Sequence, residues 1–237
     1  MTTKIIHYCW FGENKKPELV QKCIESWKKY FPDFQIIEWN ETNFDIHFNN
    51  YTEEAYCAGK YAFVSDVVRF WALERYGGLY FDTDVEVIKN FDDLLKQEAF
   101  AGFETNEYVA PGLVLWVKNK HNKLMKEMLE YYENVSFIKL DGTYNTTTIC
   151  IYFTELLKKY GFYGNNKKQK CGPFTIYPKE YFCPFNDQTG VLSKTDNTYA
   201  IHWYSKTWMT SREKRRNKIT RVFHKYFGVN CFRRFRK

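Results

Sequence analysis

None of the seven cysteines, Cys9, Cys23, Cys57, Cys150, Cys171, Cys183 and Cys231, falls in a CxxC pair. An odd, unpatterned set offers neither a zinc-finger spacing nor an even disulfide framework, and a reducing compartment is the expectation. The chain also has no run of about 20 apolar residues, the length a helix needs to span a bilayer, so any membrane contact is expected to be peripheral. Met1 to Ile6 shows no basic segment leading into a long apolar stretch, so no signal peptide is read there. The absence of a GxxxxGK[ST] loop counts against a P-loop nucleotide enzyme. Internal repeats and low-complexity tracts are missing too. Together these absences point to a cytoplasmic protein.

Charge and aromatic content are the features in excess. From Arg212 to Lys237 there are eleven Lys or Arg and one acid, Glu213, a charge of +10. The whole chain carries +7, so the 211 residues before it sum to −3. A near-neutral body with a basic end suggests an interaction tail and not a nucleic-acid-binding domain. Aromatic residues make up 20% and hydrophobic residues 44%, enough to fill one core and supply stacking platforms. The division read from this is residues 1–211 as one catalytic domain and 212–237 as a basic, aromatic tail.

Hydrophobic periodicity gives an alternating α/β pattern. Lys4 to Trp10 reads as a buried strand, Pro17 to Tyr30 as a helix and Gln35 to Trp39 as a second strand. Asn40 to Asn50 reads as loop, and Glu53 to Tyr76 as helix, broken near Gly59 and stopped by Gly77-Gly78. Leu79 to Ile88 is expected as one strand. Phe100 to Phe103 and Leu113 to Val117 follow as strands, and Asn122 to Tyr132 and Ile149 to Tyr160 as helices. Gly161 to Asn197 reads as loops and short strands, and Tyr199 to Tyr204 as a last strand. The alternation predicts a single Rossmann-like, mainly parallel sheet with flanking helices.

The most informative stretch is Gly77-Gly78-Leu79-Tyr80-Phe81-Asp82-Thr83-Asp84-Val85-Glu86. On a strand, Asp82 and Asp84 at i and i+2 would face the same side. Two like charges so placed repel, and a divalent cation between them would relieve the repulsion. Carboxylates with phosphate oxygens and waters are the usual ligands of Mg²⁺ or Mn²⁺. The preceding helix carries Asp66 and Arg69 three residues apart, hence on one face amid apolar neighbours. Such a pair is either a structural ion pair or the polar wall of a pocket.

Taken together, Ser65-Asp66-Val67-Val68-Arg69, then Leu73, then Tyr76 to Asp84, closely resembles the DxD sugar-binding region of glycosyltransferase family 32. That group includes yeast initiating mannosyltransferases and bacterial capsule and O-antigen enzymes, and the clostridial glucosylating toxins share its signature. Ile5 to Gly12 is similar to the family's first strand, and the resemblance extends over Lys4 to Tyr132. It implies a GT-A fold and a retaining, metal-dependent transfer of a hexose from a nucleotide-sugar. The expected donor is a UDP-sugar and the expected cofactor Mn²⁺ or Mg²⁺. It implies that Trp10 stacks on the base, that Asp66 and Arg69 contact the sugar, that Asp82 touches ribose and sugar, and that Asp84 ligates the metal. Ser65, Tyr80 and Thr83 lie inside these motifs and join the donor-binding candidates. Glu104 is the candidate sugar-facing acid.

Ala200 to Trp208 resembles the closing segment of retaining DxD enzymes. There His202 would complete the metal set with Asp84 and Asp82, Lys206 would neutralise the leaving diphosphate, and Trp208 would close over the nucleotide. In the tail, Ile219, Val222, Phe223, Tyr226 and Phe227, continued by Cys231, Phe232 and Phe235, suggest an amphipathic helix for an anionic membrane surface. That placement suits a saccharide acceptor carried on a lipid at the inner face of a bacterial plasma membrane. Two other readings stay open on the residues: a metal-dependent phosphotransferase or nucleotide hydrolase using the same carboxylates, and a non-catalytic RNA-binding protein using the basic tail.

Overall fold

The computed structural model describes residues 3–205, 211–229 and 231. Its centre is a seven-stranded sheet of order β2-β1-β3-β6-β5-β8-β7. Strands β1 (Ile5–Cys9), β2 (Gln35–Trp39) and β3 (Gly78–Tyr80) run parallel. β6 (Val109–Val117) enters antiparallel to both β3 and β5 (Ala99–Phe103). β8 (Phe174–Tyr177) is parallel to β5, and the edge strand β7 (Gln169–Cys171) is antiparallel to β8. Five strands therefore share one direction, and β6 and β7 oppose them. A second, two-stranded sheet pairs β4 (Val85–Val87) with β9 (Ala200–His202).

Helices cover both faces. α1 (Glu18–Tyr30) follows Pro17 and buries Val20, Cys23 and Trp27; the Trp27 indole donates to the Val85 carbonyl at 2.8 Å, tying α1 to β4. That face holds a cluster including Ile6, Phe31, Phe81, Phe91 and Phe100. The other face packs α2 (Asn50–Cys57), α3 (Tyr61–Tyr76), α4 (Lys123–Glu133) and α5 (Ile149–Lys158) around Tyr51, Val67, Phe70, Tyr132 and Phe153. Asn49 and Thr52 form a capping box at the start of α2. The chain leaves α3 through Gly77 at φ +68°, a left-handed conformation that glycine adopts without strain. α6 (Ser211–Phe227) is the C-terminal helix. No helix among the described residues is long and apolar enough to cross a membrane.

Two sequence expectations are corrected. Leu79 to Ile88 is not a single strand: β3 stops at Tyr80, Asp82 to Val85 forms a turn closed by the Val85 N–H on the Asp82 carbonyl at 3.1 Å, and β4 starts in the other sheet. Chain crossing from one sheet to the other, and not alternation along a strand, sets where the two carboxylates point. β6 is also longer than read. It starts at Val109 and runs through Pro111, where the register with β5 shifts between Ala101 and Gly102. Such an irregularity is where a strand tolerates proline, because no ladder N–H is needed there.

Candidate active site

Parallel pairing of β1 with β3 brings Trp10, just beyond β1, and the Asp82–Asp84 turn, just beyond β3, to the same carboxyl edge of the sheet. Open α/β sheets bind ligands at this edge. α3 runs beside it and contributes Asp66 and Arg69 from one face, both buried.

Arg69 is the hub of a buried polar cluster. Its Nη2 donates to Asp66 Oδ1 at 2.9 Å, its Nε to the Ser65 carbonyl at 3.2 Å, and its Nη1 lies 3.3 Å from Asp82 Oδ1. The guanidinium sits 4.7 Å above the Tyr80 ring, and the Tyr80 hydroxyl donates to Asp82 Oδ1 at 3.1 Å. Burial pushes the Asp66 carboxyl up, Arg69 pulls it back and Asp82 adds to the rise, leaving it at about 7. Gly112 on β6 completes the cluster: its carbonyl accepts the Asp82 N–H at 2.9 Å, and a Cβ there would collide with Asp82 Oδ2. Tyr80, a donor-binding candidate, is 1% exposed, with its hydroxyl on Asp82 and its ring under Arg69.

Asp84 points elsewhere, into β9. His202 Nε2 lies 3.1 Å from Asp84 Oδ1, the Ser205 N–H donates to Asp84 Oδ2 at 2.7 Å, and the Trp203 N–H donates to the Asp84 carbonyl at 3.0 Å. Burial alone would raise Asp84, but His202 and the Ser205 donors outweigh it and bring it down to about 2. His202 moves the opposite way: burial disfavours its charge, and Asp84 lifts it well above the usual histidine range. The two form a buried ion pair.

This pair suits a divalent cation. Mg²⁺ is commonly held by one or two protein ligands, with phosphate oxygens and water filling the rest of an octahedron at about 2.1 Å, whose adjacent corners are about 3 Å apart. Asp84 Oδ1 and His202 Nε2 have that spacing, and both would be donors once an arriving cation displaces the imidazolium proton. Among the described residues no third His, Cys, Asp or Glu joins them in a cluster. Asp82, expected in the metal set, instead turns its Oδ1 to Arg69 and Tyr80, because the turn sends the two side chains apart. Thr83 sits between them, half-buried, in the turn.

Trp10 borders a groove of about 190 Å³ with Glu13, Asn14, Lys16, Glu38, Asn40, Glu41 and Thr42. Its indole donates to the Asn14 carbonyl at 2.6 Å, and Lys16 stands 5.7 Å over its ring. Glu104, beyond β5, accepts from Cys150 at 3.5 Å and lies close enough to the Tyr204 hydroxyl to hold its proton on, and that hydroxyl meets Cys183 at 3.0 Å. Glu104 thereby faces the segment that carries His202. Lys206 and Trp208 lie outside the described residues. Sequence reasoning missed Ser205 as a partner of Asp84, since a backbone donor leaves no mark in residue type. It also missed Cys150, Cys183 and Tyr204, which only the tertiary structure gathers.

The sequence profile of the capsular polysaccharide synthesis protein family matches residues 1–170. Inositol phosphoceramide mannosyltransferase 3 of Schizosaccharomyces pombe is 30% identical over 105 residues, covering 41% of this chain and 28% of the relative. The match thus spans little more than a quarter of that protein's length. A solved glycosyltransferase involved in the glycosylation of the major capsid of PBCV-1 superposes with a TM-score of 0.52 at 14% identity, over 91% of this chain and 98% of that one. That likeness concerns the fold. The chain belongs to the capsular polysaccharide synthesis protein family and has the GT-A fold of glycosyltransferases.

Proposed function

We propose that the protein is a metal-dependent, retaining glycosyltransferase that moves a hexose from a nucleotide-sugar, a UDP-sugar by preference, to a lipid-linked saccharide. Its setting would be capsule or O-antigen assembly at the inner face of a bacterial plasma membrane. The observation that carries this reading is the meeting, at one sheet edge, of the Asp84–His202 pair and the Asp66–Arg69–Asp82 cluster. The first suits a cation on a diphosphate and the second suits sugar hydroxyls.

In this reading Trp10 stacks on the base. Asp66 accepts hydrogen bonds from sugar hydroxyls, and Arg69, fixed by Asp66 and Asp82, donates to sugar or phosphate oxygens. Asp82 reaches ribose and sugar, with Ser65, Thr83 and Glu104 along the walls of the donor site. Asp84 and His202 would hold Mn²⁺ or Mg²⁺, which when bound offsets negative charge on the departing diphosphate. Lys206 adds positive charge there, and Trp208 closes over the nucleotide. The sequence marks no dedicated nucleophile, which is compatible with front-face attack. The acceptor oxygen bonds to the anomeric carbon, the bond to the phosphate oxygen breaks, and the acceptor proton passes to that phosphate. The products are a glycoside of unchanged anomeric configuration and a nucleoside diphosphate.

The test is release of UDP or GDP from UDP-glucose, UDP-galactose, UDP-N-acetylglucosamine and GDP-mannose with Mn²⁺. Release from one donor, lost in Arg69→Lys, supports the reading. Turnover of a nucleoside triphosphate with none of any nucleotide-sugar would replace it with a phosphotransferase.

A further inference from the structure

Helix α6 turns its polar side to the protein and its apolar side outward. Its half-buried residues are Asn217, Thr220, Arg221 and His224, at the i, i+3, i+4, i+7 spacing of one face. Arg221 anchors that side: its guanidinium pairs with the Asp187 carboxylate, its Nε donates to the Asp187 carbonyl at 2.7 Å, and it lies 5.4 Å over the Phe185 ring. On the outer side, Ile219, Val222, Phe223, Tyr226 and Phe227 repeat at the same spacing. Tyr226 and Phe227 are 72% and 71% exposed. Arg212, Arg215 and Arg216, also exposed, precede Ile219 by seven, four and three residues and so share its face. A helix folded onto a soluble core has the opposite arrangement.

We propose that this outward face lies on an anionic bilayer, its aromatic and aliphatic residues among the acyl chains and its arginines at the headgroups. The charge on the page selects this occupant. The stretch from Arg212 to Lys237 carries +10, and each cation near an anionic leaflet strengthens binding. A second copy docked face to face would offer these arginines no carboxylate, since the one acid of the stretch, Glu213, is not on this face. The attachment also orients the protein. Phe185, beneath Arg221, packs on Trp203 at 5.4 Å between ring centroids, and Trp203 follows His202 and bonds Asp84. The bilayer-bound helix is thus tied to the Asp84–His202 end of the sheet. On the function proposed above, that brings the transfer site to the surface where a lipid-linked acceptor is held.

The experiment is co-sedimentation of the full chain with vesicles of phosphatidylcholine alone or mixed with phosphatidylglycerol, for the wild type and Val222→Glu/Tyr226→Glu. These positions are exposed, so the variant keeps the wild-type melting temperature. Expected is wild-type binding to the mixed vesicles at least about tenfold tighter than to phosphatidylcholine, weakened by added salt, and lost in the variant. No binding, or equal binding by wild type and variant, overturns the proposal. So does a lipid-free dimer that the variant dissolves, or salt-sensitive RNA binding without vesicle binding. Vesicle binding needs no nucleotide, so a failure of the transferase reading leaves this result standing.

Discussion

Gly112→Ala isolates the contact on which the polar cluster rests. Gly112 has no positive φ, so alanine fits the backbone and would ordinarily help a strand by about 0.5–1 kcal/mol. Here the new methyl would run into Asp82 Oδ2 and stand 2.7 Å from Arg69 Nη1. The Asp82 carboxylate must swing away, giving up the Tyr80 hydrogen bond at 3.1 Å and the Arg69 contact at 3.3 Å, or β6 must shift. Overpacking of this kind costs about 1–3 kcal/mol. The Asp82 side chain is 32% exposed, so the lost ion pair adds little and about 2 kcal/mol is the expected total. For a chain of this length that is a melting-temperature drop of about 4–8 °C. Transfer should suffer more, by about a hundredfold, because the sugar-facing carboxylate is displaced by an ångström or more. Differential scanning fluorimetry and nucleotide-release kinetics read the two effects. An unchanged melt with unchanged turnover would refute the argument that Gly112 shapes this cluster.

Three further outcomes are expected. His7 is buried, accepts the Trp39 indole N–H at 3.1 Å and faces the Gly77 carbonyl at 2.8 Å. Burial lowers it to about 4, so it is neutral in the fold and its contribution, about 3 kcal/mol, is present above 6.5 and lost as pH falls through 4; urea titrations at pH 7 and 4 should show that loss in the wild type and not in His7→Gln. Asp66, raised to about 7, should give a donor KM that falls as pH rises through 7, while fold stability falls as pH rises from 3.8 to about 7 and levels off above that; Asp66→Asn flattens both profiles. Trp10→Ala should weaken nucleotide binding about tenfold, measured by calorimetry, with little change in melting temperature, since its ring is half-exposed beside the groove.

The first half of the fold was legible because its signals are local. Pro17 and the apolar spacing from Leu19 mark α1, and Gly59 and Gly77 mark the ends of α2 and α3. The resemblance paired Asp84 with His202, and the structure sets the two side chains 3.1 Å apart. The sequence did not show that β3 ends at Tyr80. Phe81 and Val85, on either side of Asp82-Thr83-Asp84, are both fully buried and read as inward positions of one strand, yet the chain changes sheet between them. Pairing of β4 with β9 spans more than a hundred residues, and no local propensity encodes it. Reading Asp82 and Asp84 as one strand face therefore failed, although both lie at the site. β7 and β8 lie in the stretch read as loops and short strands, but their bounds were not legible because short strands at a sheet edge carry too few residues for a period to show.

Calorimetric titration of UDP and of GDP, with and without Mn²⁺, on the wild type and Asp84→Asn tests the central claim most directly. The account predicts that one nucleotide binds only with Mn²⁺ and that Asp84→Asn, with its fold intact by circular dichroism, loses that binding. Binding that ignores both the metal and the substitution, or no binding of either nucleotide, would contradict it.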